Sequence, residues 1–151
     1  MKLTICAVGR LKSGPERDLL EKYRRRISWP LDIVELEERR KLSAAELKQR
    51  EATLIEQVLP AGCFRVAMDE RGKSLSSRAF AEKLGSWRDQ ARDVAFMIGG
   101  ADGLDTGLRG SADATISFGA ATWPHQLARV MLVEQIYRAQ EILAGHPYHR
   151  D

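Results

Sequence analysis

Five short runs rich in β-branched, aliphatic and aromatic residues punctuate the chain: Leu3 to Val8, Leu31 to Leu36, Phe64 to Met68, Val94 to Ile98, and Ala114 to Phe118. Between them, apolar residues recur every three or four positions. Leu20, Tyr23 and Ile27 form one such set; Leu47, Leu54, Ile55 and Val58 a second; Phe80, Leu84 and Trp87 a third. That spacing gives a helix one apolar face. Strands alternating with amphipathic helices predict an α/β layer fold with a largely parallel sheet. Helix starts are signalled by Ser13 with Glu16 and Ser43 with Glu46, each spaced as a capping box, and by Leu75 and Phe80 flanking Ser76 as a hydrophobic staple.

The final helical segment, Leu127 to Leu143, is apolar over most of its circumference, and Glu134, Arg138 and Glu141 form its narrow polar stripe. Such a helix must be covered on nearly every side. In a chain this small, one face is expected on the sheet and another on a second subunit. Arg129 projects into the apolar arc among Leu132, Val133 and Ile136 at 100° per residue, so it needs a partner: a buried ion pair, a snorkelling path to water, or a functional one.

With 151 residues, 44% hydrophobic and 30% charged, the chain has globular proportions, and no Pro/Gly/Ser-rich tract or repeat divides it. A single domain over residues 1–151 is expected. A net charge of +3 does not by itself demand a polyanionic partner. Arg supplies 17 of the 24 cations, and Arg24, Arg25 and Arg26 cluster at the end of the first helix, as phosphate contacts or as a solvated, dipole-favoured terminus. The apolar run after Lys2 is six residues, short for a secretory segment, and nothing reaches membrane-spanning length. Cys6 and Cys63 lack CxxC or metal spacing, which predicts reduced thiols in a cytoplasmic protein.

Three segments invite a ligand. After the fourth strand, Gly99-Gly100-Ala101-Asp102-Gly103 puts three glycines in five residues, allowing positive φ or close ligand approach, though it is not G-x-G-x-x-G. After the third, Ala67 to Ser74 approaches a Walker A loop but has Ala67 for its first glycine and acidic Asp69 and Glu70 where phosphate would lie. After the fifth, small residues in Phe118 to His125 make room, and Thr122 or Trp123 with Pro124 starts the final helix. Ligands of open α/β sheets lie outside the carboxyl ends of the strands, so these loops predict a small-molecule pocket. The histidines, His125, His146 and His149, all fall in the last 27 residues, without a clustered thiol or carboxylate, so no metal is expected. The tail Gly145 to Asp151 concentrates a ring, two imidazoles and a guanidinium, groups suited to a base and its phosphate.

Lys2-Leu3 with Ala7-Val8-Gly9, Ile98-Gly99-Gly100 with Gly103-Leu104, Pro124-His125 with Leu127 and Arg129-Val130, Glu134 to Ala139, and the closing His146-Pro147-Tyr148-His149-Arg150 resemble the RlmH family of SPOUT-class ribosomal RNA methyltransferases over essentially the whole chain. The resemblance implies a homodimer with a carboxyl-terminal trefoil knot, S-adenosylmethionine as cofactor, and methylation of N3 of a pseudouridine in 23S ribosomal RNA. It carries cofactor contacts onto Met68, Gly99, Phe118, Gly119, Ala120, Ala121, Thr122 and Trp123. Met68 stands where leucine is common, and the last segment is usually richer in serine and leucine. N3 is an imide nitrogen that must lose its proton as the methyl arrives, so alignment, oxygen-binding donors and a cation are needed. Arg129, His125, Tyr148, His149 and Arg150 are the candidates. Seven tail residues extend about 23 Å, enough to reach a cofactor pocket, including a partner's. A ribosome-binding assembly factor on the same fold and a histidine-metal hydrolase are the alternatives.

Overall fold

The computed structural model describes all 151 residues, Met1–Asp151. Its strands are β1 (Leu3–Val8), β2 (Leu31–Leu36), β3 (Phe64–Ser74), β4 (Val94–Ile98) and β5 (Ala114–Ser117), and its helices are α1 (Pro15–Arg24), α2 (Ala44–Val58), α3 (Ser77–Asp89), α4 (Thr106–Gly110) and α5 (His125–Leu143). The strands form one sheet in the order β2-β1-β4-β3-β5, with every neighbouring pair parallel. A parallel sheet is covered on both faces, so its central strands are apolar throughout. All six residues of β1 and all five of β4 are buried.

Alternation sorts these side chains into two layers. Leu3, Ile5, Ala7, Val94, Phe96 and Ile98 join the larger core, with Leu20 of α1, Phe80 and Leu84 of α3, and Leu132, Val133 and Ile136 of α5. Cys6, Val8, Ala67 and Met97 point the other way, toward Ile55 of α2 and Leu108 of α4. The helices therefore sandwich the sheet.

The helix starts follow local chemistry with one correction. Ser43 and Ser76 cap α2 and α3 by accepting hydrogen bonds from the Glu46 and Ala79 amides. Ser13 does not cap α1: the residue before the helix is Gly14, and Pro15 supplies the pre-set first turn.

β3 runs beyond Met68 as far as Ser74, so the Walker-like stretch is strand and bulge, not a loop leading directly into a helix. Met68 and Lys73 both pair with Ile116. The four residues between them bulge out of the ladder. Gly72 is required there, because a β carbon would stand 2.6 Å from the Thr115 carbonyl carbon.

One face of the final helix packs on the sheet, as its sequence pattern predicts. α1 and α3 flank it, and Leu132 and Ile136 are fully buried within one chain, so they belong to the core and not to an interface. Its outward apolar residues, Leu127 and Met131, line a groove of ≈ 390 Å³ with Leu19, Tyr23 and Phe80. Ile136→Ala should therefore lower the unfolding free energy by about 2–5 kcal/mol through a cavity. Met131→Ala should cost less than about 1 kcal/mol, and urea unfolding of the two variants measures the contrast.

Candidate functional site

At the carboxyl ends of β3, β4 and β5 lies a cavity of ≈ 360 Å³. Its floor turn follows β4, where the Gly103 amide donates to the Gly100 carbonyl at 3.0 Å and the two residues bridge. A β carbon on Gly99 would stand 2.5 Å from the Gly103 carbonyl carbon, and Gly103 has φ +80°. Gly99 is thus demanded by the chain's own backbone, not by ligand bulk. The β3 bulge brings Asp69, Glu70 and Arg71 into the wall, and Asp69 pairs with Arg109 at 3.5 Å.

The loop after β5 closes the opposite side. Ser117 Oγ donates to the Gly119 carbonyl at 2.9 Å and accepts from the Gly119 amide at 3.0 Å, locking a turn whose φ is +101°. Trp123 donates its indole N–H to the Phe118 carbonyl at 3.2 Å. Pro124 precedes α5 without a side-chain cap, leaving first-turn amides free. Seven of the eight residues carried over as cofactor contacts line the cavity: Met68, Gly99, Phe118, Gly119, Ala121, Thr122 and Trp123; Ala120 does not.

His125, the first residue of α5, also lines the cavity. Burial and then the charge of Arg129 hold its pKa below the usual 6.5, so the ring is neutral at pH 7. Arg129, one turn further on, is not in the wall. It is completely buried, pairs with Glu35 at 2.8 Å, and donates to the carbonyls of Val8 and Gly9 at 3.1 and 2.9 Å. Its Nε–H has no partner. Glu35 also accepts from the Leu11 amide at 2.6 Å. The buried ion pair is therefore the arrangement that answers the Arg129 question, and it clamps the β1–α1 loop against α5.

The tail folds back along its own helix. Tyr148 donates to Glu134 at 2.9 Å, packs edge-on to Tyr137 at 4.7 Å, and lies under the Arg138 guanidinium. Arg138 donates to His149 Nδ1 at 3.1 Å, which leaves Nε2–H to donate to Asp151 at 3.2 Å. Arg78 of α3 grips Asp151 as well. Arg150 remains exposed. No tail residue lines the chain's own cavity. Nor do the histidines converge: His125 starts α5, whereas His146 follows its end and pairs with Glu141, about 29 Å of helix away. No group of three His, Cys, Asp or Glu side chains is placed to hold a metal.

Sequence reasoning missed Glu35, Glu51, Lys48 and the Asp69–Arg109 pair. A signal existed for Glu51, which occupies the apolar row of α2 midway between Leu47 and Ile55. None existed for Glu35, whose partners come from distant segments.

A family model described as "Predicted SPOUT methyltransferase" matches residues 1–149. The chain belongs to the SPOUT methyltransferase family. Among its relatives is the ribosomal RNA large subunit methyltransferase H of Rhodospirillum centenum, 56% identical over 151 residues that cover 99% of each chain. A protein of the same name from Nitrobacter winogradskyi is 52% identical over 159 residues, again covering 99% of each. The family fold recurs in a probable methylase family protein from Haemophilus influenzae, with TM-score 0.57, 12% identity, and coverage of 99% of this chain and 70% of that one. It recurs too in the SpoU methyltransferase AviRb from Streptomyces viridochromogenes, solved in complex with AdoMet, with TM-score 0.51, 16% identity, and coverage of 93% and 58%. The α/β class and parallel sheet expected from hydrophobic patterning are those of this family.

Two outcomes test the clamp and the histidine. Glu35→Ala leaves Arg129 buried without its counter-ion and should cost about 3 kcal/mol, the low end for a broken buried pair because the Glu35 side chain is 30% exposed. Adding Arg129→Met should restore part of that loss in a double-mutant cycle. For His125, the folded pKa lies below the unfolded value, so its contribution is complete above pH of about 6.5 and is lost as pH falls, because the unfolded chain takes the proton first. His125→Gln should flatten this limb of a denaturant-midpoint profile between about pH 7 and 5.

Proposed function

We propose that the protein uses S-adenosylmethionine to methylate large-subunit ribosomal RNA, acting as a homodimer in the cytoplasm on N3 of a pseudouridine in 23S RNA. The observation that carries this reading is an intact three-loop cavity in a chain 50–56% identical, end to end, to relatives named as large-subunit ribosomal RNA methyltransferases. A knotted threading of the carboxyl-terminal loops belongs to the same reading.

The cavity fits the cofactor. Met68, Ile116 and Phe118 offer apolar wall for an adenine ring, and the glycine turn and the Gly119–Trp123 loop offer backbone groups to its polar edges without bulky side chains. When bound, S-adenosylmethionine supplies an electrophilic methyl on a sulfonium. The protein's task is to align N3 with that methyl and to accommodate the N3 proton. His125 is on the cavity wall and neutral, so it can take the proton as N3 is methylated. Arg129 acts from behind. Its guanidinium is committed to Glu35 and two carbonyls, so it holds the His125 end of α5 and the β1–α1 loop in place and raises the positive potential felt by a developing imidate.

The tail enters from the partner in this reading. Tyr148 and His149 are fastened to α5 and turned away from the chain's own cavity, while Arg150 is exposed and free to meet a phosphate or a base carbonyl. A second copy laid on the Leu19, Leu127 and Met131 groove would cover that apolar surface and bring each tail toward the opposite pocket. One subunit holds the methyl donor and the other helps seat the base.

Mass spectrometry of ribosomal RNA from cells lacking the protein should show a missing methyl on one pseudouridine, restored by the wild-type chain. Deleting residues 146–151 should abolish that restoration while leaving S-adenosylmethionine affinity within about twofold, since the tail lies outside the wall of its own pocket. Full methylation by the deletion variant would remove the tail from the active site, and a wild-type protein that sediments as a monomer would remove the partner.

A further inference from the structure

Three arginines stand in a row where α1 ends, and only the first has a carboxylate partner: Arg24 pairs with Glu21 at 3.6 Å. Arg25 and Arg26 are exposed and form no ion pair. The carboxylates of the adjoining α5 and tail are engaged elsewhere, Glu134 with Arg138, Glu141 with His146, and Asp151 with Arg78. Adjacent like charges without counter-ions repel one another and oppose the compact state. A merely solvated helix end would relieve that repulsion by letting the turn and its side chains spread.

This turn is instead fixed. Gln140 of α5 accepts from the Ser28 amide at 2.7 Å and from the Ser28 hydroxyl at 3.0 Å, and donates to the Arg26 carbonyl at 3.1 Å. Both polar ends of one side chain thus hold residues 26 to 28 on α5. The Arg26 guanidinium lies over the Tyr137 ring, 5.8 Å from its centroid. Tyr137 meets Tyr148 edge-on, and the Arg138 guanidinium covers Tyr148. Glu134 neutralises Arg138, whereas nothing neutralises Arg26. Beyond Tyr148 the tail carries the exposed Arg150. Uncompensated cations therefore run from the end of α1 across the surface of α5 to the tail, and none of the three lines the cavity at the strand ends.

Pre-positioned guanidinium forks without counter-ions are complementary to a chain of phosphates, each of which an arginine can bind through two parallel hydrogen bonds. We propose that Arg25 and Arg26, continued by Arg150, form a phosphate track that grips RNA on the nucleotides flanking the one that is methylated. This rests on the function proposed above, in which the tail seats the base at the partner's cavity; the same tail carries the track to the mouth of that cavity. Tyr137 holds the Arg26 side chain before RNA arrives, so less rotamer freedom is lost on binding. The contacts set the position of the strand and read no base.

Ribosomes from cells lacking the protein, bound and methylated by the full chain at several salt concentrations, test the track. Arg25→Gln combined with Arg26→Gln should raise KM for ribosomes at least about tenfold, while kcat and S-adenosylmethionine affinity stay within about twofold. The slope of log affinity for ribosomes against log salt should fall by about two in the double variant and by about one in Arg25→Gln alone, which keeps the contact between Arg26 and Tyr137. Arg88→Gln combined with Arg92→Gln removes the same charge from exposed positions at the end of α3 and should change neither KM nor slope. An unchanged KM in the Arg25 and Arg26 variant of a protein that methylates overturns the track alone. An equal loss in the α3 control overturns it by reducing the effect to net charge. A raised KM at unchanged salt slope overturns it by assigning the two arginines to a protein contact. A wild-type protein that neither binds nor methylates ribosomes overturns the function itself, and the track with it.

Discussion

Arg129 is the largest side chain removed completely from water in this protein, and its guanidinium ties together segments more than ninety residues apart in sequence, from Val8 and Gly9 through Glu35 to α5. A buried cation is tolerated only with a counter-ion and hydrogen bonds in good geometry. Glu35 supplies the charge, and two carbonyls at the end of β1 supply the acceptors. Because the same Glu35 accepts from Leu11, the β1–α1 loop cannot move without disturbing the pair. His125 is one turn before Arg129 on α5, so the clamp fixes its end of the helix, while its neutrality comes from burial first and from the Arg129 charge second.

The cavity itself arises from parallel topology. Every strand ends at the same edge of the sheet, so loops distant in sequence are brought together there. Three local devices then shape it. The turn at Gly99–Gly103 closes on its own backbone, the Ser117–Gly119 hydrogen bonds fix the loop after β5, and the β3 bulge pushes a charged segment outward. Two of these are backbone arrangements that side-chain substitutions elsewhere would tolerate.

The tail shows how a terminal segment acquires order without a core. Glu134 and Arg138, four residues apart on α5, form an ion pair that also receives Tyr148 and His149, and Arg78 secures the last residue. A polar stripe on an otherwise apolar helix thereby becomes a docking rail. The order it confers is directional: the tail lies along α5, away from its own cavity.

Much of the fold was legible in the sequence, because it depends on periodicity. Alternating strand and helix patterns identified all five strands within their cores, the caps at Ser43 and Ser76, and the apolar arc that holds Arg129. The three loops were legible too, since glycine and proline mark turns and parallel sheets gather their carboxyl ends. What the tertiary structure alone decided was pairing. Nothing near Arg129 in sequence identifies Glu35 as its counter-ion, and the apolar surface of α5 reads the same whether α1, α3 or another chain covers it. The same limit applies to Gly99, whose lack of a side chain was visible, whereas the reason for it, the backbone of Gly103 at 2.5 Å, exists only once the turn has closed. Local patterns encode which face of an element is buried; which partner buries it is set by the packing of segments that meet only in three dimensions.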